Sequence, residues 1–557
     1  MCDNHESGAA LIIDGNLVGA INEERINRQK MSARFPWKSI EWLLSSNSLS
    51  PDRVDLIVVA STVTPALPFR IFKDWHERVK QSADQFSYLL NIYFIYQVLA
   101  KFTWLPIKLE EFISRFVLKR RFRSRGFKCP VKTIDHHLAH AISAYLPSGI
   151  EPCLIVTADA MGDGVTLTVN VGQKGKIRRI YWQSGFCALS TYYSRATQFL
   201  GFTANKHEGK VVGLAAHGDP SKLIEKFRRR LHFTGCGFNY INHFLPESER
   251  YGFFASLKGE PKADIAAALQ ENLEKEFVKF LRYWIERTGL NQVALAGGIF
   301  ANVKLNQRLH NEGGLRQIYI VPNMGDGGLC VGAALFPNMS GYKRETTVYL
   351  GPSYDDGQIE SVLRSFHLSY ERPSNLVQEI ARRLADGEVV ARFNGRTEFG
   401  PRALGNRSIL YRTDDPKVMD WLNDQLKRTE FMPFAPVTMV EFARECYVDA
   451  VGAEPTWRYM NITFDCTKKM KALSPGVVHV DGTARPQILC REDNPEYYDI
   501  LSEYHRLTGN PSLLNTSFNM HEEPIVNTPE DAVRAFLAAR LDALAIGPFL
   551  VTKPKAN

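Results

Sequence analysis

No two of the nine cysteines form a CxxC pair, and their number is odd. That excludes a zinc ribbon and argues against a secreted disulfide framework. No signal pattern opens the sequence, because the first apolar stretch, Ala9–Ile13, is too short for a signal core. No apolar run reaches the ~20 residues of a membrane span. The nearest, Phe86–Ala100, contains Asn91 and Gln97 and ends at Lys101. It reads as a buried or interfacial helix. Aromatic and basic residues do not interleave as in a nucleic-acid stacking platform. No solenoid repeat or low-complexity tract occurs. A cytoplasmic protein without nucleic acid and without a membrane span is the expectation.

What is present is ordinary for a globular chain, at 45% hydrophobic and 23% charged residues. The 557 residues exceed one core, since single domains hold ~100–200 residues. The formal charge of +8 suits an enzyme of anionic substrates, phosphates among them. Part of it lies in Lys119–Arg125, a run that reads most simply as a solvated helix end.

Ala9–Ile13, the turn residues Asp14-Gly15-Asn16 and Leu17–Ile21 predict a hairpin. Trp37–Ser45 predicts a helix entered at Pro36. Buried strands are expected over Val54–Ser61, Val131–Asp135, Cys153–Asp159, Gln292–Leu295 and Ile318–Val321. A second hairpin is expected over Val165–Val171 and Ile177–Trp182, and a long helix over Leu269–Thr288. Strands alternating with hairpins and helices indicate a layered α/β architecture. Residues 337–357 are rich in Pro, Gly and polar residues and read as a linker. The expected division is 1–345 and 346–557, with a basic, mostly helical insert over 70–126.

His136 and His140, in HHLAH, are four apart, a spacing that places both imidazoles on one helix face. Asp159 ends a buried strand in TADAMGDG, and Asp326 follows another in VPNMGDGG. Carboxylates at the carboxyl ends of strands sit where α/β folds hold ligands. The glycines beside them, Gly162 and Gly325, let backbone approach a phosphate closely. Two His and two Asp suit iron, zinc or manganese. A pair of helix-capping aspartates is the alternative reading.

HHLAHAISAY, TADAMGDG, LAGGIFANVKLN and VPNMGDGG together resemble the carbamoyltransferase family of the NodU and nebramycin synthase type. The resemblance implies an N-terminal ASKHA (actin-like ATPase, TsaD-like) domain. It implies that His136, His140, Asp159 and Asp326 hold an iron ion, Fe(II), beside a nucleotide lined by Gly297, Gly298 and Asn302. His5-Glu6-Ser7-Gly8-Ala9-Ala10 is similar to the family's HD-x-S-A-A-L, with Glu6 in place of Asp. His5 would take the proton of an acceptor hydroxyl. The chain begins four residues before His5, where the family has a complete first strand. Lys30, Glu208 and Lys210 match further polar positions of the family's site; for Glu208 and Lys210 a solvated charged turn is the alternative.

Residues 394–410 read NGRTEFGPRALGNRSIL, with three arginines among glycines. Arginine forks in glycine-rich loops suit oxyanions. This string, with EFMPFAP, HVDGTARPQ and LNTSFN, resembles the family's C-terminal domain, a YrdC-like α/β fold. By that resemblance Arg407, Arg485, Asn515 and Ser517 contact carbamoyl phosphate and ATP, helped by Arg396, Arg402 and Lys427, with Mg accompanying the ATP. Thr429 and Met432 depart from the family's string, replacing an acid and an arginine. The activity implied is formation of carbamoyl adenylate, then transfer to a hydroxyl of a small sugar-like or natural-product acceptor. Three other readings compete. A tRNA threonylcarbamoyl-type transferase would lack the GRTEFGPRALGNRS segment. A hydrogenase-maturation transferase would carry CxxC pairs. A non-catalytic nucleotide-binding ASKHA module would not need the His/Asp set.

Overall fold

The computed structural model describes residues 1–81, 95–98, 104–240, 252–342, 347–427 and 434–553. Most of Phe86–Ala100, together with Thr429 and Met432, lies outside the described residues. The chain forms two compact units, Met1–Asn27 with Met31–Thr346, and Thr347–Asn557 with Arg28–Lys30.

The first unit uses one strand order twice. Its opening hairpin pairs β1 (Gly8–Ile13) with β2 (Asn16–Asn22) around Asp14 and Gly15, both at positive φ. Cys2 bridges antiparallel to Gly8 and parallel to Ala60. It thereby joins the hairpin to the parallel pair β3 (Ile57–Ala60) and β4 (Val131–Ile134). The order is β2-β1-Cys2-β3-β4. The second sheet runs β11-β10-β5-β6-β7. Here β5 (Cys153–Gly162), β6 (Val165–Gln173) and β7 (Lys176–Ser184) form an antiparallel meander. A short hairpin, β8 (His232–Phe233) with β9 (Phe238–Asn239), intervenes. Then β10 (Gln292–Ala296) and β11 (Gln317–Ile320) add in parallel beside β5. Each sheet is thus a meander extended by two parallel strands, a duplicated α/β layout.

Parallel strands are buried on both faces, which explains why β5 and β10 read as continuous apolar runs. The long helix Lys262–Thr288 buries Ile265, Leu269, Leu273, Phe277 and Leu281, and stops at Gly289 in the left-handed region. Near the first sheet, Phe35, Leu43, Ile57, Val59, Leu118 and Phe122 form one apolar cluster. The basic run ends the helix Trp104–Arg123, where Arg121 lies over Phe35 and Arg125 over Trp37.

The second unit is built on an eight-stranded mixed sheet, β12-β21-β20-β13-β14-β19-β15-β18. Its strands are β12 (Tyr370–Glu371), β13 (Val390–Phe393), β14 (Arg407–Arg412), β15 (Ala435–Met439), β18 (Gln487–Leu489), β19 (Ser512–Ser517), β20 (Ala543–Ile546) and β21 (Phe549–Thr552). A small pair, β16 (Phe464–Asp465) with β17 (Thr483–Ala484), lies apart. Helices Leu376–Ala385 and Pro495–Thr508 close the core with Ile380, Leu384, Ile500, Leu501 and Tyr504. Both units are mixed α/β. No helix among the described residues is long and apolar enough to cross a membrane.

Candidate metal centre and oxyanion loop

Helix His136–Ser148 begins where β4 ends. Its N-cap, Asp135, accepts from the Leu138 amide at 2.9 Å. The first turn therefore presents His136 and His140, both buried, toward the ends of β5 and β11. His136 Nε2 lies 3.4 Å from Asp159 Oδ2 and 3.5 Å from Asp326 Oδ1. His140 Nε2 lies 3.2 Å and 3.6 Å from the same atoms. The four donor atoms all fall within 4.8 Å of one another.

These residues fit a divalent transition metal. Bonds of about 2.1 Å give donor-to-donor edges of about 3.4 Å in a tetrahedron, and the observed spacings bracket that value. Each carboxylate has one oxygen tied back and one turned inward. Asp159 Oδ1 accepts from the Ala160 amide at 2.7 Å, and Asp326 Oδ2 accepts from Asn4 Nδ2 at 2.7 Å. Asp326 Oδ1 is buried with no hydrogen-bond partner among the described residues. A buried oxygen so placed needs a cation or a donor. Electrostatics agree. Burial works against the His136 imidazolium, yet Asp326 and Asp159 outweigh it and raise its pKa to about 9. Burial likewise raises Asp159, but the hydrogen bonds from His136 and His140 hold it well below the usual carboxylate range. Two carboxylates thus draw positive charge into the centre.

Several positioning residues were not singled out from the sequence. Ser61 Oγ lies 2.8 Å from His136 Nδ1, and Ser61 itself adopts φ +74°. With Nε2 facing a metal, Nδ1 carries the proton and donates to that hydroxyl. Asp163 accepts from the amides of Thr62, Val63, Thr64 and His136 at 2.9–3.0 Å, fixing the Ser61 loop against the helix start. The second Asp of TADAMGDG was the available signal. His137 is not a ligand. Its Nε2 donates to Val165 O at 2.9 Å, leaving Nδ1 to accept from Thr157 Oγ1 at 2.7 Å. Burial, with His136 and His140 adding to it, pushes its pKa well down, so it is neutral.

The other expected residues of this unit are placed as follows. His5 Nδ1 lies 3.4 Å from Asp326 Oδ2, at the edge of the cluster. A Cβ on Gly162 would fall 2.0 Å from the His136 ring, so only glycine leaves that imidazole in place. Gly297 has φ +110°, and a Cβ there would lie 2.0 Å from Ala158 O. A Cβ on Gly298 would lie 3.1 Å from Asp159 Oδ1, and one on Gly325 would lie 3.0 Å from Glu6 Oε2. Asn302 caps helix Val303–Glu312 through Leu305 N at 3.0 Å and pairs its amide with Gln270. Glu208 accepts from Ser194 Oγ at 2.7 Å and the Asn205 amide at 2.6 Å, while Lys210 is buried on the same helix, Glu208–Ala215. Lys30 is exposed and groups with the second unit.

In the second unit the glycine-rich string forms the loop between β13 and β14, whose ends pair at Phe393 and Arg407. Ser517 pairs with Ser408 in the neighbouring strand. Asn515 Nδ2 donates to Gln487 Oε1 at 2.9 Å, and Gln487 Nε2 reaches Leu404 O at 3.1 Å. Three of the sequence blocks therefore meet around one loop. Glu398 organises it, one carboxylate oxygen accepting from the amides of Leu404, Asn406 and Arg407 at 2.8–3.1 Å. Two arginines of the loop donate to backbone carbonyls. Arg407 is fully buried, donates to the carbonyls of Asn394, Gly395 and Asn406, and lies 3.7 Å over the Phe393 ring. Arg396 donates to Gly351 O and Leu350 O at 3.0 and 2.6 Å. The tight loop leaves carbonyls that need donors, and these guanidiniums meet that need. Arg402, Arg485 and Ser517 are half-buried, and Lys427 is exposed at φ +56°.

The chain matches the family model described as carbamoyltransferase N-terminus over residues 2–335, and the one described as carbamoyltransferase C-terminus over 381–553. It belongs to the carbamoyltransferase family. The nodulation protein NolNO of Sinorhizobium fredii is 32% identical over 569 residues, 99% of this chain and 80% of that one. The nodulation protein NolO of Bradyrhizobium diazoefficiens is 34% identical over 439 residues, 76% of this chain and 80% of that one. Among solved structures, full-length HypF in its phosphate- and nucleotide-bound form overlaps 54% of this chain and 49% of its own, at 14% identity and a TM-score of 0.29. This carbamoyltransferase thus carries, in its N-terminal family segment, a buried two-histidine, two-aspartate centre with His5 at its edge.

Proposed function

We propose that this carbamoyltransferase is ATP-dependent and carbamoylates a hydroxyl of a sugar-like or natural-product acceptor through carbamoyl adenylate. The observation that carries the reading is the His136–His140–Asp159–Asp326 cluster with His5 beside it. The second unit, residues 347–557, would make the adenylate. There carbamoyl phosphate and water give carbamate and phosphate; a carbamate oxygen then attacks the α-phosphorus of ATP, and pyrophosphate leaves. The loop over residues 394–406 supports this role, with Arg402, Arg485, Asn515, Ser517 and Lys427 as the residues proposed to meet the anions. Arg407 and Arg396 are proposed to meet the anions as well, while also bracing the loop through backbone carbonyls.

In the first unit, His136, His140, Asp159 and Asp326 would hold a divalent metal, Fe(II) by family resemblance, with zinc or manganese also compatible with the donors. Bound there, it would supply Lewis acidity toward the adenylate's phosphate. Gly297, Gly298, Asn302 and Gly325 would border the nucleotide. His5 would accept the acceptor's hydroxyl proton as that oxygen bonds to the carbamoyl carbon. The bond from that carbon to the phosphate oxygen then breaks and AMP leaves. Lys30, Glu208 and Lys210 are proposed to assist at the acceptor side.

The test is AMP and pyrophosphate formation from ATP that depends on carbamoyl phosphate, measured with metal restored. Wild type should turn over and Arg485→Ala should not. Equal rates in both, or no dependence on carbamoyl phosphate, would sink the reading.

A further inference from the structure

An open cavity of ≈ 650 Å³ lies in the first unit where helix Lys73–Gln81 meets the end of helix Trp104–Arg123. Phe72, Lys73, Asp74, Trp75, Arg78 and Arg121 line it. Its charge is unbalanced. Asp3 is fully buried, and its carboxylate is taken by Arg70, with Nε–Oδ2 at 3.1 Å and Nη2–Oδ1 at 3.2 Å. Lys73 Nζ donates to the Asp3 carbonyl and stands 3.6 Å from Asp3 Oδ2. Arg121 Nη2 donates to Ile71 O at 3.2 Å, while Nη1 is buried with no hydrogen-bond partner among the described residues. Among the described residues, Lys73, Arg78 and Arg121 thus line the cavity with one rim carboxylate, Asp74, while Lys73 and Arg70 share the buried Asp3. Burial pushes the Lys73 pKa down to about 8, against Asp3 and with Arg70 and Arg121. Burial lowers Arg121 as well. A bound anion would relieve both cations. The apolar lining is as unusual as the charge. Phe72 is 62% exposed and Trp75 40% exposed, although Trp75 is held against Phe69 at 4.7 Å. Flat apolar faces with a few convergent polar groups are the make-up of a small-molecule site.

Two connections tie this cleft to the metal cluster. Asn4, the residue after Asp3, donates to Asp326, and His5 follows it. Arg70 Nη2 also donates to Ser61 O at 2.9 Å, and the Ser61 hydroxyl holds His136. We infer that the cleft docks the acceptor, and that the acceptor is a hydroxylated ring compound bearing an oxyanion, phosphate or carboxylate, placed between Lys73 and Arg121 with its ring against Phe72 and Trp75. This rests on the O-carbamoyltransferase reading and names its substrate class.

Calorimetric titration of the full-length, metal-loaded chain tests it, with glucose 6-phosphate, glucuronate, glucose and inorganic phosphate as probes. The two charged sugars should bind, with the better of them naming the oxyanion, and glucose should not. Trp75→Ala and Arg78→Glu change exposed positions, and each should weaken charged-sugar binding by about tenfold or more. Inorganic phosphate should bind more weakly than the sugar phosphate and be indifferent to Trp75→Ala. Charged sugars binding no better than glucose, or both variants binding as wild type, would overturn the inference. The wild-type preparation is assayed in parallel for carbamoyl-phosphate-dependent AMP formation. Loss of that activity refutes the parent reading, whereas its presence without charged-sugar binding refutes the docking site alone.

Discussion

Ser61 holds a left-handed backbone conformation that β-branched and bulky residues rarely adopt, and its hydroxyl fixes the ring of His136. Ser61→Ala should keep the fold and weaken metal affinity by about 10–100-fold, the range for partners that orient a ligand. Competition against a chelator reads this directly; unchanged affinity would show that the ring is held by packing alone. Lys73 supports a pH prediction. Its folded pKa, about 8, lies below the unfolded value near 10.4. Between these values the unfolded chain keeps a proton that the folded chain has released, so this group makes stability rise with pH across that window. Below pH 8 the penalty is fully present. Denaturation midpoints of wild type should therefore gain on those of Lys73→Met from pH 8 to 10, and parallel curves would refute it. At this scale the sequence was legible where chemistry imposes spacing. His136 and His140 stood out at i, i+4, and the two aspartates at strand ends. Ser61 and Asn4 are single polar residues whose partners lie 75 and 322 positions away, so no local pattern exposes them. Arg396 and Arg407 carry a second part that no motif announces, since they also donate to nearby backbone carbonyls. A glycine-rich loop offers a guanidinium oxyanions and unpaired carbonyls alike, and arginine spacing does not separate the two.

Between residues and fold, the elements followed period and punctuation. The hairpin around Asp14-Gly15 and the helix Trp37–Ser46 appear within a residue or so of their expected limits. Val54–Ser61 shortens to Ile57–Ala60, since Pro51–Arg53 forms a turn of 3₁₀ helix first. The long helix starts at Lys262 rather than Leu269, because Ala266–Ala268 continues it without amphipathic contrast. Asp163 shows how elements are joined. One carboxylate terminates four amides from the loop after β3 and from the helix start, two segments more than 70 residues apart. Asp163→Ala leaves those buried donors without partners. Its expected cost is about 2–4 kcal/mol, read from urea denaturation of the metal-free chain, together with loss of metal binding. A cost below about 0.5 kcal/mol would mean that water replaces the carboxylate.

For the whole molecule, the family segments 2–335 and 381–553 lie in different compact units, Arg28–Lys30 excepted, and the proposed chemistry divides the same way. That division makes the half-reactions separable by mutation. Asp159→Asn removes an inward carboxylate of the metal cluster. It should abolish carbamoyl transfer while sparing carbamoyl-phosphate-dependent pyrophosphate formation, because none of the residues proposed for that step is touched. Arg485→Ala should abolish both, since transfer needs the adenylate. Mixing the two variants then asks whether the intermediate reaches bulk water. An acyl adenylate is prone to hydrolysis, and excluding water would be the physical reason for joining the two proposed steps on one chain. The mixture should therefore restore no more than a few per cent of wild-type transfer at micromolar enzyme. What it restores should rise with enzyme concentration, since capture of a released intermediate is bimolecular. Recovery near the wild-type rate, independent of concentration, would show that the adenylate survives release and that the two activities need not be joined. It would leave each half-reaction in its assigned unit and remove only the argument for their fusion.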